Sequence, residues 1–141
     1  MFKKFFKKDK KENSKDKNVL IIALLIHAAK IDEHYSESEK KIITQTIMEL
    51  NEINFNEAEK LLKLAEKKEE ESNQIVEFTK EIKKYSMDFR LKIIEIIWKI
   101  VYSDGTNDNY ESNLIRRICG LLYISDKDNG IIKTKVQNIL K

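Results

Sequence analysis

Proline is missing from this 141-residue chain, glycine occurs three times, and cysteine and tryptophan once each. A chain so poor in both turn-forming residues lacks the punctuation of an all-β fold. The single thiol, Cys119, excludes an internal disulfide, and its setting in "RRICGLL" is that of a reduced, buried side chain. Two histidines and one cysteine are too few for a structural zinc site. His27 lies within an apolar helix and reads as a core histidine, His34 as a loop histidine, and Trp98 as core. No glycine-rich phosphate loop, HExxH pair or Ser/His/Asp arrangement is present. No residue is therefore assigned a catalytic role, no small-molecule substrate is expected, and the chain reads as non-enzymatic.

Hydrophobic runs are short. The longest near the start, "VLIIALLIHAA" at Val19–Ala29, falls well below the ~20 residues a membrane-spanning helix needs. It follows a lysine-rich segment, as the core of a secretory leader would. A similar run recurs about 72 residues later within the domain, so both are read as structural helices and the chain as cytoplasmic.

What the chain has in abundance is charge, 27 basic against 24 acidic residues. The excess sits at one end: residues 1–17 carry eight lysines against Asp9, Glu12 and Asp16, which leaves the remainder slightly acidic. That distribution argues against nucleic acid as a partner of the fold itself. It divides the chain into a basic, flexible arm over 1–17 and a single domain over 18–141. Wound as a helix, the arm would place Phe2, Phe5 and Phe6 on one face, flanked by Lys3, Lys4, Lys7 and Lys8. Such a segment suits peripheral contact with an anionic membrane. Docking of the phenylalanines on the domain, or a solvated arm, are the alternatives.

The domain reads as seven consecutive helices, an all-α bundle. Helix one is expected over roughly 18–31. Helix two opens at Ser36, with Glu39 as its capping-box partner, and helix three at Asn56, with Glu59 in the same relation. Helix three carries an apolar stripe of Ala58, Leu61, Leu62, Leu64 and Ala65. Helix four is expected from Ser72, with Ile75, Val76, Phe78, Thr79 and Ile82, and helix five from Ser86 through Tyr102. Helix six takes about 108–122, and helix seven follows Ser125 with Asp128 as box partner. The run "EKKEEES", Glu66–Ser72, reads as a solvated junction.

Residues 24–43 superpose on 96–115 without a gap, placing Asp32 on Asp104, Ser36 on Asp108 and Glu39 on Glu111. A fainter echo, "FNEAEKLL" against "ISDKDNGI", follows after a three-residue shift. The bundle is thus expected to consist of two related helix–loop–helix–helix units. Each unit repeats an acidic interhelical loop. Asp104, Asp108 and Glu111 in the second copy, and Asp32 and Glu39 in the first, are the oxygen donors that a divalent cation such as Ca²⁺, Mg²⁺ or Mn²⁺ would take. The loops do not have the spacing of an EF-hand. Capping explains most of the same residues, because Ser36 and Asp108 suit N-caps and Glu39 and Glu111 their partners. It leaves the paired Asp32 and Asp104 unexplained, since a carboxylate at a helix C-terminus is mildly unfavourable.

In "KIDEHYSESEKKII" and "VYSDGTNDNYESNLIRRICGLLYIS" the chain resembles the TerB family. These are small helical proteins associated with tellurite resistance and related to the N-terminal domain of the co-chaperone DjlA. The family's acidic motif occurs twice; Asp32 and Glu39 match the first copy, and Asp104, Gly105, Glu111, Leu114, Ile115, Arg117, Leu121, Leu122 and Ser125 the second with its sequel. Glu33 departs from the pattern, standing where the family has glycine. The aromatic-basic start is similar to the chromosomal, single-domain branch. The resemblance implies an all-helical fold with an internal pseudo-repeat, no established enzymatic activity, a link to tellurite or other stress responses, and acidic residues that contact metal or partner. The resulting expectation is a cytoplasmic module that contacts a protein or membrane-associated partner, with a divalent-cation sensor as the alternative.

Overall fold

The computed structural model describes residues 14–30, 35–72, 74–103 and 109–139, with side chains described from 18 onward and, past the second loop, from 113. Seven helices and no strand occur among these residues: α1 (Ser14–Ala29), α2 (Glu37–Asn51), α3 (Phe55–Glu71), α4 (Val76–Ile82), α5 (Met87–Tyr102), α6 (Asn109–Leu121) and α7 (Asp126–Ile139). The described first helix starts at Ser14 rather than 18, so helical backbone reaches into the segment read as an arm. Six consecutive residues of α1, Ile21 to Ile26, are fully buried. A helix apolar all round must be covered on all sides, and α1 packs against α2, α3, α4, α5 and α6. The second apolar helix, α5, packs on α1, α2, α6 and α7, burying Phe89, Ile93, Ile97 and Trp98.

The repeat is visible element by element. α2 begins at Glu37 and α6 at Asn109, the same offset that pairs Asp32 with Asp104. Near the start of each unit's apolar helix, one polar side chain reaches the far end of the helix that follows. Asn18 donates to Asn51, and Arg90, standing at the equivalent position, donates from Nη1 to Leu122 O at 2.7 Å and from Nε to Tyr85 O at 3.2 Å. Both second helices end in the same way. Glu52 (φ 55°) and Tyr123 (φ 60°) adopt the left-handed conformation. The next N–H groups reach back, Ile53 to Met48 O at 3.4 Å and Ile124 to Cys119 O at 2.9 Å. This is a Schellman ending with its hydrophobic residue turned onto the core.

Besides the start of α1, two helix starts differ from expectation. The N-cap of α3 is Asn54, whose side chain accepts from Glu57 N at 2.9 Å, not Asn56. "NFNEAE" offers the capping spacing in two registers, and the turn after α2 selects the earlier. The shorter echo consequently has a one-residue shift, not three: Asn54 pairs with Ser125, Glu57 with Asp128, and buried Ala65 with buried Val136. Leu64 falls off the apolar stripe and is 48% exposed. Helix four starts at Val76 rather than Ser72, because α3 runs through the charged segment, rich in good helix formers, and Ser72 closes it with its N–H on Glu69 O. The expected starts of α2, α5 and α7 hold, capped by Ser36, Ser86 and Ser125.

Candidate functional site

The shoulder of the first acidic loop is built by the capping box of α2. Ser36 Oγ accepts from Glu39 N at 3.2 Å, and Glu39 Oε1 accepts from Ser36 N at 2.7 Å, with Glu39 only 2% exposed. Tyr35 lies just ahead, Lys40 over its ring. Its hydroxyl is shut off from solvent and faces Glu66 of α3. Burial, then Glu66, then the charges of Glu39 and Glu37 push the Tyr35 pKa well up. The carboxylates of Glu66, Glu39 and Glu37 therefore give Tyr35 an acidic setting. Asp32, Asp104 and Asp108 lie outside the described residues, as do Phe2, Phe5, Phe6, Lys3, Lys4, Lys7 and Lys8. Glu111 falls on the first turn of α6, and its side chain also lies outside them. Among the described residues no three His, Cys, Asp or Glu side chains gather as a metal ion would require.

The half-buried Glu69 and the buried Glu81 and Glu95 escaped the reading of the sequence. Glu69, within the run read as a solvated junction, is sheltered on α3 and tied to α1 by Lys30 Nζ at 2.8 Å and His27 Nδ1 at 3.1 Å. Burial alone would raise its pKa; the bonds from Lys30 and His27 outweigh that and lower it. Nothing local marks Glu69 among the acids around it, since its partners are some forty residues away in the chain. Glu95 had a signal. A lone acid in "IIEIIW", with Lys92 three residues before and Lys99 four after, is a carboxylate to be buried and paired. It receives Lys92 at 3.1 Å, Lys99 at 3.3 Å and Lys135 of α7 at 3.0 Å. Against burial, these lysines hold its pKa down to about 2.

Glu95 closes one part of a groove of about 390 Å³ between α5 and α7, with Leu91, Ile131 and Ile132 as its apolar lining and Asp88, Asp128, Lys92 and Lys135 around them. Trp98 lies in the core beside this seam, its Nε1 donating to Asn129 Oδ1 at 2.9 Å and its ring stacked on Tyr102. α7 is thinly seated: Val136 is its one fully buried side chain, while Ile131 and Ile139 are 57% and 56% exposed. Cys119 is buried as expected, and burial, with Asp126 adding to it, pushes its thiol up to about 12.

Against this geometry the family model of the tellurite resistance protein TerB matches residues 18–134, most of the chain. The chain belongs to the TerB family. The all-α TerB fold agrees with the seven described helices. The match runs from Asn18, the polar clamp of the first unit, through both repeats into α7. No curated protein and no solved structure matches the chain. No helix among the described residues is long and apolar enough to cross a membrane.

Proposed function

We propose that this TerB-family chain is a non-enzymatic binding module that holds a protein or membrane-associated partner on its helical surface. The observation that carries the reading is the α5–α7 groove, an apolar floor with charged walls beside a helix that leaves two isoleucines more than half exposed. Apolar floors with a few placed charges are what partner segments bind. The sheltered carboxylates support the same reading, for each is engaged structurally: Glu39 in a capping box, Glu69 with His27 and Lys30, Glu95 with three lysines. A partner captured by the wild-type chain should be lost from Ile131→Glu and retained by Asp104→Asn/Glu111→Gln. Retention by the first variant and loss from the second would move the contact to the acidic loops.

The acidic setting of Tyr35 favours a second reading, a divalent-cation sensor in which the repeated loops supply oxygen ligands. Thermal unfolding of EDTA-stripped protein with added Ca²⁺, Mg²⁺ or Mn²⁺ tests it. Saturation at about 100 times Kd stabilises by about 2.7 kcal/mol, a rise in Tm of about 5–15 °C at this size. The rise should vanish in Asp104→Asn/Glu111→Gln. Identical unfolding with and without every cation would dismiss this reading.

A further inference from the structure

The face of α7 that lines the groove has a pattern that is complementary to itself. Asp128, Ile131, Ile132 and Lys135 follow one another at three-, four- and seven-residue spacing and line the same groove, so they share one face of the helix. Along the axis the face reads carboxylate, apolar centre, ammonium. Both charges are within reach of a partner. Asp128 is exposed and has no salt bridge among the described residues; its backbone N–H, not its carboxylate, makes the cap bond to Ser125. Lys135 is 57% exposed; one N–H of its ammonium goes to Glu95 Oε1, Lys92 and Lys99 both hold Oε2, and the ammonium's remaining N–H donors can meet a second carboxylate without releasing Glu95.

We propose that this face docks a second copy of the chain, the two α7 helices packing antiparallel across a twofold axis. This inference rests on the reading of the α5–α7 groove as a binding surface and names its occupant. A twofold contact requires one patch to complement itself, with residue i meeting j and j meeting i. Reversing the stripe end for end does this: Asp128 of each copy meets Lys135 of the other, and Ile131 and Ile132 of both copies fill the centre. The groove has eight lining residues, fewer than the ~20–30 a side of a stable interface. The dimer is therefore weak, concentration-dependent and sensitive to salt.

Sedimentation velocity of the full chain, from micromolar to millimolar concentration at low and high salt, tests the proposal. The wild type should shift from monomer to dimer as concentration rises, and high salt should shift it back. Asp128→Lys and Lys135→Asp each set like charges face to face and should weaken dimerisation by about tenfold or more. An equimolar mixture of the two single variants should restore it, as should the double variant. Restoration by mixing cannot arise if either variant is misfolded, and circular dichroism of each checks α7 directly. A wild type that stays monomeric to millimolar concentration overturns the dimer, as does failure of the mixture to associate when both variants keep full helicity. The groove reading is judged apart from this, by whether monomeric Ile131→Glu loses a partner that the wild type captures.

Discussion

Glu95 shows how much one side chain depends on its surroundings. An unfolded glutamate titrates near ~4.3, whereas three lysines keep the folded Glu95 ionised down to about 2. A carboxylate whose pKa is depressed by folding contributes stability that is complete above its unfolded pKa and is lost as pH falls through its folded one. The lysines are partly exposed, so water screens the pair, and the contribution is about 1–2 kcal/mol. Urea unfolding should find Glu95→Gln less stable than wild type by that amount at neutral pH, with the two proteins converging as pH approaches 2. A constant difference across this range would mean that packing, not charge, dominates at the site. The residue scale is also where the sequence was hardest to read. Glu95 could have been found from the lysines flanking a lone acid in an apolar helix. Glu69 could not, because a run of acids looks the same whether or not one of them turns inward to meet another helix.

Helices were legible wherever the chemistry that starts them is local. Ser36, Ser86 and Ser125 each accept from the N–H three residues on, and each could be picked out from a few letters. Asn54 was missed because Asn56 offers the same spacing two residues later, and the choice is made by the preceding turn. That turn is invisible in the sequence: glycine is the usual mark of a left-handed helix ending, and here Glu52 and Tyr123 occupy the position. Both bear a Cβ in a conformation that disfavours one. Glu52→Gly and Tyr123→Gly should therefore stabilise, by up to about 1 kcal/mol, even though glycine loosens the unfolded chain. Chemical denaturation measures this, and a loss of stability in both variants would show that the Cβ and the side chain beyond it contribute more than the backbone strain costs.

Across the whole molecule, the two-unit architecture was written plainly in the apolar helices and their offset, and the family match covers both units. The second unit is the more open on its α7 side: where α3 buries Ala58, Leu61, Leu62 and Ala65, α7 carries Asn129, Ile132, Lys133 and Val136 and buries only Val136. Cys119, fully buried on α6, reports on that half of the molecule. With its thiol pushed up to about 12, almost no reactive thiolate exists near neutral pH. Labelling by a thiol reagent should proceed only through opening, with a denaturant dependence equal to that of global unfolding. A shallower dependence would reveal local release of α6 from the bundle. One feature of the fold bears on how the chain is made. Among the described residues, α1 precedes every helix that covers it, and its fully apolar middle is not closed over until α5 and α6 arrive. During translation the ribosome releases this segment while its eventual neighbours are still unsynthesised. For that interval the nascent chain displays a sequence of the kind that chaperones and membrane-targeting factors bind, a demand on the cell that the finished protein no longer makes.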